Sequence, residues 1–233
     1  MFKKTLSLFK LVLIIIITIA FALSVIIAMF IKGKKVFYKF AKIWSKLLLR
    51  ISNIKINIYN TADINNQNSY VYISNHSSLL DIPILLSILN LNTRIMYKEE
   101  LEKIPIFGYC LKLSPFISVK REDKENALES FRNSIEAIKQ NDSVIIFPEG
   151  TRSENGELGA FKKGAFLLAL KSGKDIIPIT IKDANKILPK GKFIINSTIV
   201  NVYIHNNIKI DNNLDTNKLI NQVYNIINSK LQN

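Results

Sequence analysis

A histidine and an aspartate five residues apart, His76 and Asp81, stand where a run of strand-forming residues from Tyr70 to Ser74 gives way to an apolar helical pattern from Ser78. On a regular helix, positions five apart point about 140° away from each other. His76 therefore belongs in the loop and Asp81 in the first helical turn. From there the carboxylate can accept a hydrogen bond from one ring nitrogen, fix the tautomer and leave the other nitrogen as a general base. A base of this kind contributes on the order of 10²- to 10⁴-fold to a rate. The same residues also fit a purely structural role. Ser78 and Asp81 have the spacing of a capping box with the shorter acid, and a lone loop histidine is often just a surface residue. Taken alone, the pair leaves both readings open.

A second cluster follows another apolar run, Val144 to Phe147. Phe147-Pro148-Glu149-Gly150-Thr151-Arg152-Ser153 puts a carboxylate, a hydroxyl and a guanidinium at a strand's end. Arg152 there can grip a phosphate through two parallel N–H donors, although Pro-Glu-Gly is equally a plain tight turn. Gly159 to Gly164 has the glycine spacing of a P-loop but lacks the following Lys and Ser or Thr, which argues against nucleotide binding. Lys162 and Lys163 still add positive charge for an anion. No Gly-x-Ser-x-Gly elbow is present, so Ser77 and Ser78 are not expected as covalent nucleophiles.

Strands are expected at Tyr70 to Ser74, Thr93 to Tyr97, Pro115 to Val119, Ser143 to Phe147 and Ile176 to Ile181, with two later ones near Phe193 to Ile195 and Ile199 to His205. Helical patterns fall at Ser78 to Leu89, Leu101 to Leu113, Lys124 to Lys139 and Phe161 to Lys171, followed by a last helix that Asp215 could cap. This alternation predicts an α/β fold: a mostly parallel or mixed sheet with helices on both faces and functional groups in the loops after the strands.

The chain has 233 residues and a formal charge of +14, but residues 1–62 contain no Asp or Glu and residues 1–50 hold ten of the 32 basic side chains. A positive segment flanking an apolar one points to an anionic lipid surface rather than to nucleic acid. Residues 11–31 carry no charge; as a helix they would be roughly 31 Å long, enough to cross a bilayer core. A secretory signal is the competing reading, from Lys3, Lys4, Lys10 and Ala20-Phe21-Ala22, but the apolar run continues nine residues past Ala22. Next comes a basic amphipathic pattern over 34–51 with Trp44 among its apolar positions, expected to lie on lipid headgroups or, alternatively, to pack on the domain. The expected organisation is thus a membrane anchor over 1–58 and a catalytic domain over 59–233. The heavier positive flank places that domain on the cytoplasmic side of the inner membrane. One cysteine, Cys110, and two histidines leave no disulfide and no Cys/His metal cage, so neither a metal nor another cofactor is expected.

From about Tyr70 to Ile210 the chain resembles the glycerolipid acyltransferases, most closely those acting on 1-acyl-sn-glycerol-3-phosphate, or lysophosphatidic acid. The residues carrying the resemblance are His76 with Asp81; Lys98-Glu99-Glu100-Leu101 with Ile104-Pro105-Ile106-Phe107-Gly108, a region ending at Arg121; Phe147 to Ser153; Phe161-Lys162-Lys163-Gly164; and Ile177-Pro178-Ile179. The resemblance implies that His76 deprotonates the acceptor hydroxyl and Asp81 orients the ring. It also implies an acceptor site formed by Arg121, Glu149, Gly150, Thr151 and Arg152, with Lys98 a further candidate for the phosphate. An acyl thioester of coenzyme A or acyl carrier protein would be the cosubstrate. Two departures weaken the second region: Lys120 stands where the family often has Asp, and Ser114-Pro115 where a Gly-containing pair is common.

Overall fold

The computed structural model describes residues 2–65, 67–89, 92–120, 124–188, 194–211 and 214–232. Helix α1 (Phe2–Lys32) and helix α2 (Val36–Ser52) lead into strand β1 (Lys55–Asn60), after which come β2 (Val71–Ser74), α3 (Asp81–Ile88) and β3 (Thr93–Lys98). A 3₁₀ turn (Glu99–Lys103), α4 (Phe107–Leu113), β4 (Ile117–Val119), α5 (Lys124–Lys139) and β5 (Ser143–Ile146) follow. The chain then runs through α6 (Gly164–Ser172), β6 (Ile176–Lys182), β7 (Ile199–Ile204) and α7 (Thr216–Gln232).

The seven strands form one sheet in the order β1-β7-β6-β2-β5-β3-β4. The five from β6 to β4 are parallel; β7 is antiparallel to β6 and parallel to β1, so the sheet is mixed. Alternate side chains feed two cores. Tyr72, Ile145 and Ile177 point into a layer with α1, α2, α3 and α4, whereas Val71, Ile73 and Val144 meet Phe166, Leu168 and Val223 of α6 and α7. Each such fully buried aliphatic side chain is worth about 1.5–3 kcal/mol. The continuous apolar runs of β2 and β5, covered on both faces, read as buried parallel strands should.

Four elements differ from the sequence expectation. Strand β1 arises inside the segment assigned to the anchor, pairing Lys55 to Ile199 and Asn60 to Ile204 across the 58/59 boundary. The helix expected over Leu101 to Leu113 is split at residues 104–106, because Pro105 lacks an N–H and Ile106 takes φ 63°. Near Phe193 to Ile195, residues 194 and 195 are outside any strand and Phe193 lies outside the described residues. The apolar side of α2 does not face outward as a headgroup-lying helix requires. Phe37, Tyr38, Ala41, Leu48 and Leu49 are buried, and α2 packs on α1 and α3.

Helix α1 is long and apolar enough over Thr5–Lys32 to cross a membrane. Ser7, Leu11, Ile14, Thr18, Ala22, Val25 and Met29, spaced by threes and fours, form its covered seam. The Ser7 hydroxyl donates to the Ile195 carbonyl, Lys10 Nζ to the Ser52 carbonyl, and Trp44 Nε1 to Thr18 Oγ1 at 3.1 Å. Its opposite side, including Phe9, Ile16, Ile27 and Phe30, is bare and apolar.

Candidate active site

Strands β2 and β5 are neighbours, and each ends in a loop at the same edge of the sheet. His76 lies in the loop after β2 and Asp81 opens α3, as the spacing requires. Asn75 holds that loop in place: its side-chain amide donates to the Ile181 carbonyl at 2.9 Å and accepts from the Ile181 N–H at 2.8 Å, extending the β2–β6 pairing by side chain. Asp81 is fully buried, and its Oδ2 accepts from the Ser77 and Ser78 N–H groups at 2.7 and 2.8 Å. The same oxygen lies 2.7 Å from His76 Nδ1. With the Nδ1 proton shared in that bond, Nε2 carries the ring's lone pair and has no protein partner among the described residues. The Ser78 N–H to Asp81 bond is one half of the capping-box pattern, but α3 begins at Asp81 without a side-chain cap, so the carboxylate fixes the preceding loop and orients the ring.

The loop after β5 encloses His76. The Phe147 ring stacks on the imidazole with centroids 4.2 Å apart. Glu149 Oε1 accepts from the His76 N–H at 2.8 Å, and the Ser153 N–H donates to the His76 carbonyl at 2.8 Å. Glu149 Oε2 accepts from the Gly159 N–H at 2.9 Å, and a side chain at Gly159 would press on that oxygen. Burial pushes the Glu149 carboxyl above its ordinary range, opposed by these two N–H donors. Buried, with both oxygens engaged by backbone, Glu149 ties the loop after β2 to the loop after β5 and closes the latter on itself at Gly159. This is a structural task beside the acceptor-site role that the resemblance implied.

The remaining candidates divide. Gly150 takes φ +72°, a conformation that suits glycine, and Lys162 Nζ lies over it. Thr151 is exposed and Arg152 half-buried beside it; Arg152 has no ion pair among the described residues. Lys162 is tied back through its N–H to the Pro148 carbonyl at 2.9 Å, which places Lys162 next to the Arg152 loop. Lys98 ends β3 on the same sheet edge but is exposed and paired with Glu100 at 2.8 Å. Arg121 lies outside the described residues. Sequence reasoning missed Asn75, Phe147, Ser153 and Gly159 as supports for the histidine. Only their adjacency to the two clusters hinted at it.

Beside the His76 loop opens an apolar cavity of about 230 Å³. Leu79, Ile82 and Pro83 line it on the His76 side, Ala22 and Val25 on α1, and Ala41 and Trp44 on α2. A second cavity, of about 330 Å³, is lined by Phe147, Pro148, Gly150 and Lys162, and includes more polar groups.

Fold and site define the class: a mixed α/β protein with a carboxylate-oriented histidine at the C-terminal edge of its parallel strands. The chain belongs to the acyltransferase family, whose model matches residues 55–182. It is 37% identical over 174 residues to a chloroplastic 1-acyl-sn-glycerol-3-phosphate acyltransferase of Arabidopsis thaliana, covering 74% of this chain and 48% of that one. It is 31% identical over 160 residues to a 1-acyl-sn-glycerol-3-phosphate acyltransferase of Borreliella burgdorferi, covering 69% and 63%. The matches thus span roughly half the length of these relatives. The fold is also that of the crystal structure of the 1-acyl-sn-glycerophosphate acyltransferase PlsC from Thermotoga maritima, with a TM-score of 0.85 at 23% identity over 99% of this chain and 95% of that one.

Proposed function

We propose that the protein transfers a fatty acyl chain from an acyl thioester to the sn-2 hydroxyl of 1-acyl-glycerol-3-phosphate, giving phosphatidic acid. His76 Nε2 takes the hydroxyl proton as the oxygen attacks the thioester carbonyl. The tetrahedral oxyanion collapses, the C–S bond breaks, and the thiolate recovers the proton from the imidazolium. Asp81 keeps the proton-bearing Nδ1 turned inward throughout. Arg152, Thr151, Gly150 and Lys162 supply the acceptor's phosphate site, with Lys98 and Arg121 as further candidates. The apolar cavity beside Leu79 takes an acyl chain. The observation that carries this reading is the 2.7 Å Nδ1–Asp81 bond with Nε2 unengaged, placed between a cationic loop and an apolar cavity.

The acceptor is an amphiphile, and the bare side of α1 suits its delivery from a bilayer. Because α1 is held to the domain along its seam, the arrangement supports a helix lying within one leaflet, bare side in the hydrocarbon, rather than one crossing it. Exposed Lys34, Lys35, Lys39, Lys46 and Arg50 suit anionic headgroups on the cytoplasmic side of the inner membrane. No metal or other cofactor has a part in this chemistry. The donor is a thioester of coenzyme A or of acyl carrier protein.

The test is acylation of a panel of lyso-acceptors by membranes containing the protein, using coenzyme A and carrier-protein thioesters in turn. Labelled phosphatidic acid from 1-acyl-glycerol-3-phosphate is expected. Acylation of another lyso-lipid with none of this product would contradict the acceptor assignment.

A further inference from the structure

Between the 3₁₀ turn and α4 the chain does something costly with no visible return in water. Ile106 takes φ 63° and ψ −59°, and the Phe107 N–H closes back onto the Pro105 carbonyl at 2.6 Å, a γ-turn. This is a strained turn for any L-residue and more so for a β-branched one. Its side chain gains no compensating burial, since Ile104 is 45% exposed, Ile106 37% and Tyr109 53%, with Lys103 and Pro105 exposed between them. The turn is nevertheless firmly built. The Gly108 N–H bonds the Ile104 carbonyl at 2.7 Å, and Gly108 sits so close to the Glu102 carbonyl that no Cβ fits. Glu102 is itself fixed by the Tyr97 hydroxyl at 2.9 Å.

The location explains the cost. Leu101 and Phe107, on either side of the turn, line the apolar cavity with Ala22 and Val25 of α1, and α4 packs directly on α1. The exposed isoleucines therefore lie in the segment that joins two residues of the cavity wall and leads into α4, the helix packed on α1. We infer that the 104–106 turn is a third contact with the bilayer, a wedge inserted in the hydrocarbon next to α1. It sets the mouth of the cavity at acyl-chain depth, so that a chain passes from lipid to cavity without crossing water. The isoleucines then find in lipid the apolar surroundings that the fold denies them. This inference rests on the reading of α1 as lying in one leaflet.

The test uses single-cysteine proteins in a Cys110→Ser background, the only native cysteine being removed. Ile106→Cys, Phe9→Cys on the bare side of α1 and Leu128→Cys on α5 each carry an environment-sensitive fluorophore. They are mixed with phosphatidylcholine–phosphatidylglycerol vesicles containing lipids brominated along the chain. Blue-shifted, quenched emission is expected at 106 and 9 and unchanged emission at 128. A response at 9 without one at 106 overturns the wedge and leaves the α1 reading intact; a response at 106 alone overturns the α1 reading instead. Silence at both overturns the two together. Ile106→Gly supplies a second arm, because glycine accepts positive φ and keeps the turn. Its melting temperature should hold or rise, while the ratio of turnover on vesicle-borne acceptor to turnover in detergent falls roughly fivefold, the worth of part of an isoleucine side chain leaving lipid. An unchanged ratio contradicts the wedge.

Discussion

At the scale of single residues, the account turns on which atoms of three side chains are occupied. Asp81 Oδ2 takes all three donors, whereas Oδ1 is buried without a partner among the described residues. Asparagine can place its amide nitrogen in the Oδ1 position and keep its oxygen on the same three donors. Asp81→Asn should therefore keep the ring's tautomer and lose only the charge, lowering kcat about 10- to 10²-fold, whereas Asp81→Ala should approach 10³- to 10⁴-fold. Equal losses in the two variants would mean that the charge, not the orientation, is what matters. Glu149 gives a sharper division. A glutamine offers one good acceptor where two N–H groups need one each, so Glu149→Gln should displace His76 and lower kcat roughly 10- to 10²-fold with little change in the acceptor KM. A rise in KM at unchanged kcat would point to the acceptor-site role instead. The His76–Asp81 pair was legible because loop-plus-first-turn geometry follows from spacing. The task of Glu149 was not, since sequence shows a carboxylate but not whether backbone N–H groups or a ligand will meet it.

At the scale of elements, the strand and helix alternation was readable wherever burial is two-sided, as in β2, β5 and β6. Strand β1 escaped although Ile56 and Ile58 alternate with Lys55 and Asn57, because this short edge strand follows α2 directly and is exposed along nearly all its length, so the segment reads with the helix before it. Helix α2 was recognised as amphipathic, but amphipathicity is the same for a helix facing lipid and one facing α3. The structure assigns that face to the domain and leaves the bare face to α1. One consequence can be measured. Ala41 is buried on α2 and lines the apolar cavity. Ala41→Phe should shorten the space for an acyl chain and lower transfer of a long-chain donor relative to a short-chain one by roughly tenfold, the worth of about two excluded methylenes. Equal effects on both donors would place the chain elsewhere.

At the scale of the whole molecule, the sheet divides the work. One face carries α1 to α4, the first apolar cavity and the exposed apolar side of α1; the other carries α5, α6 and α7 with the second cavity. His205 helps fasten α7. Its Nε2 lies 2.9 Å from Thr180 Oγ1, whose hydroxyl also reaches the Ile227 carbonyl at 3.2 Å. Burial, aided by nearby Lys230, lowers the His205 pKa from 6.5 to about 4. The folded protein thus binds fewer protons than the unfolded chain between those values, so stability is full above pH 6.5 and lost as pH falls toward 4. The melting temperature should drop through that window, and His205→Gln should flatten the slope; an equal slope in the variant would assign it to other groups. None of this scaffold chemistry bears on turnover, which the account assigns to a single nitrogen at the edge of the sheet. The direct test compares wild type and His76→Ala at equal abundance on vesicles holding 1-acyl-glycerol-3-phosphate, with a labelled long-chain thioester as donor. The account predicts labelled phosphatidic acid from wild type and a loss of at least about 10²-fold in the variant with vesicle binding unchanged. Turnover retained by His76→Ala would contradict it.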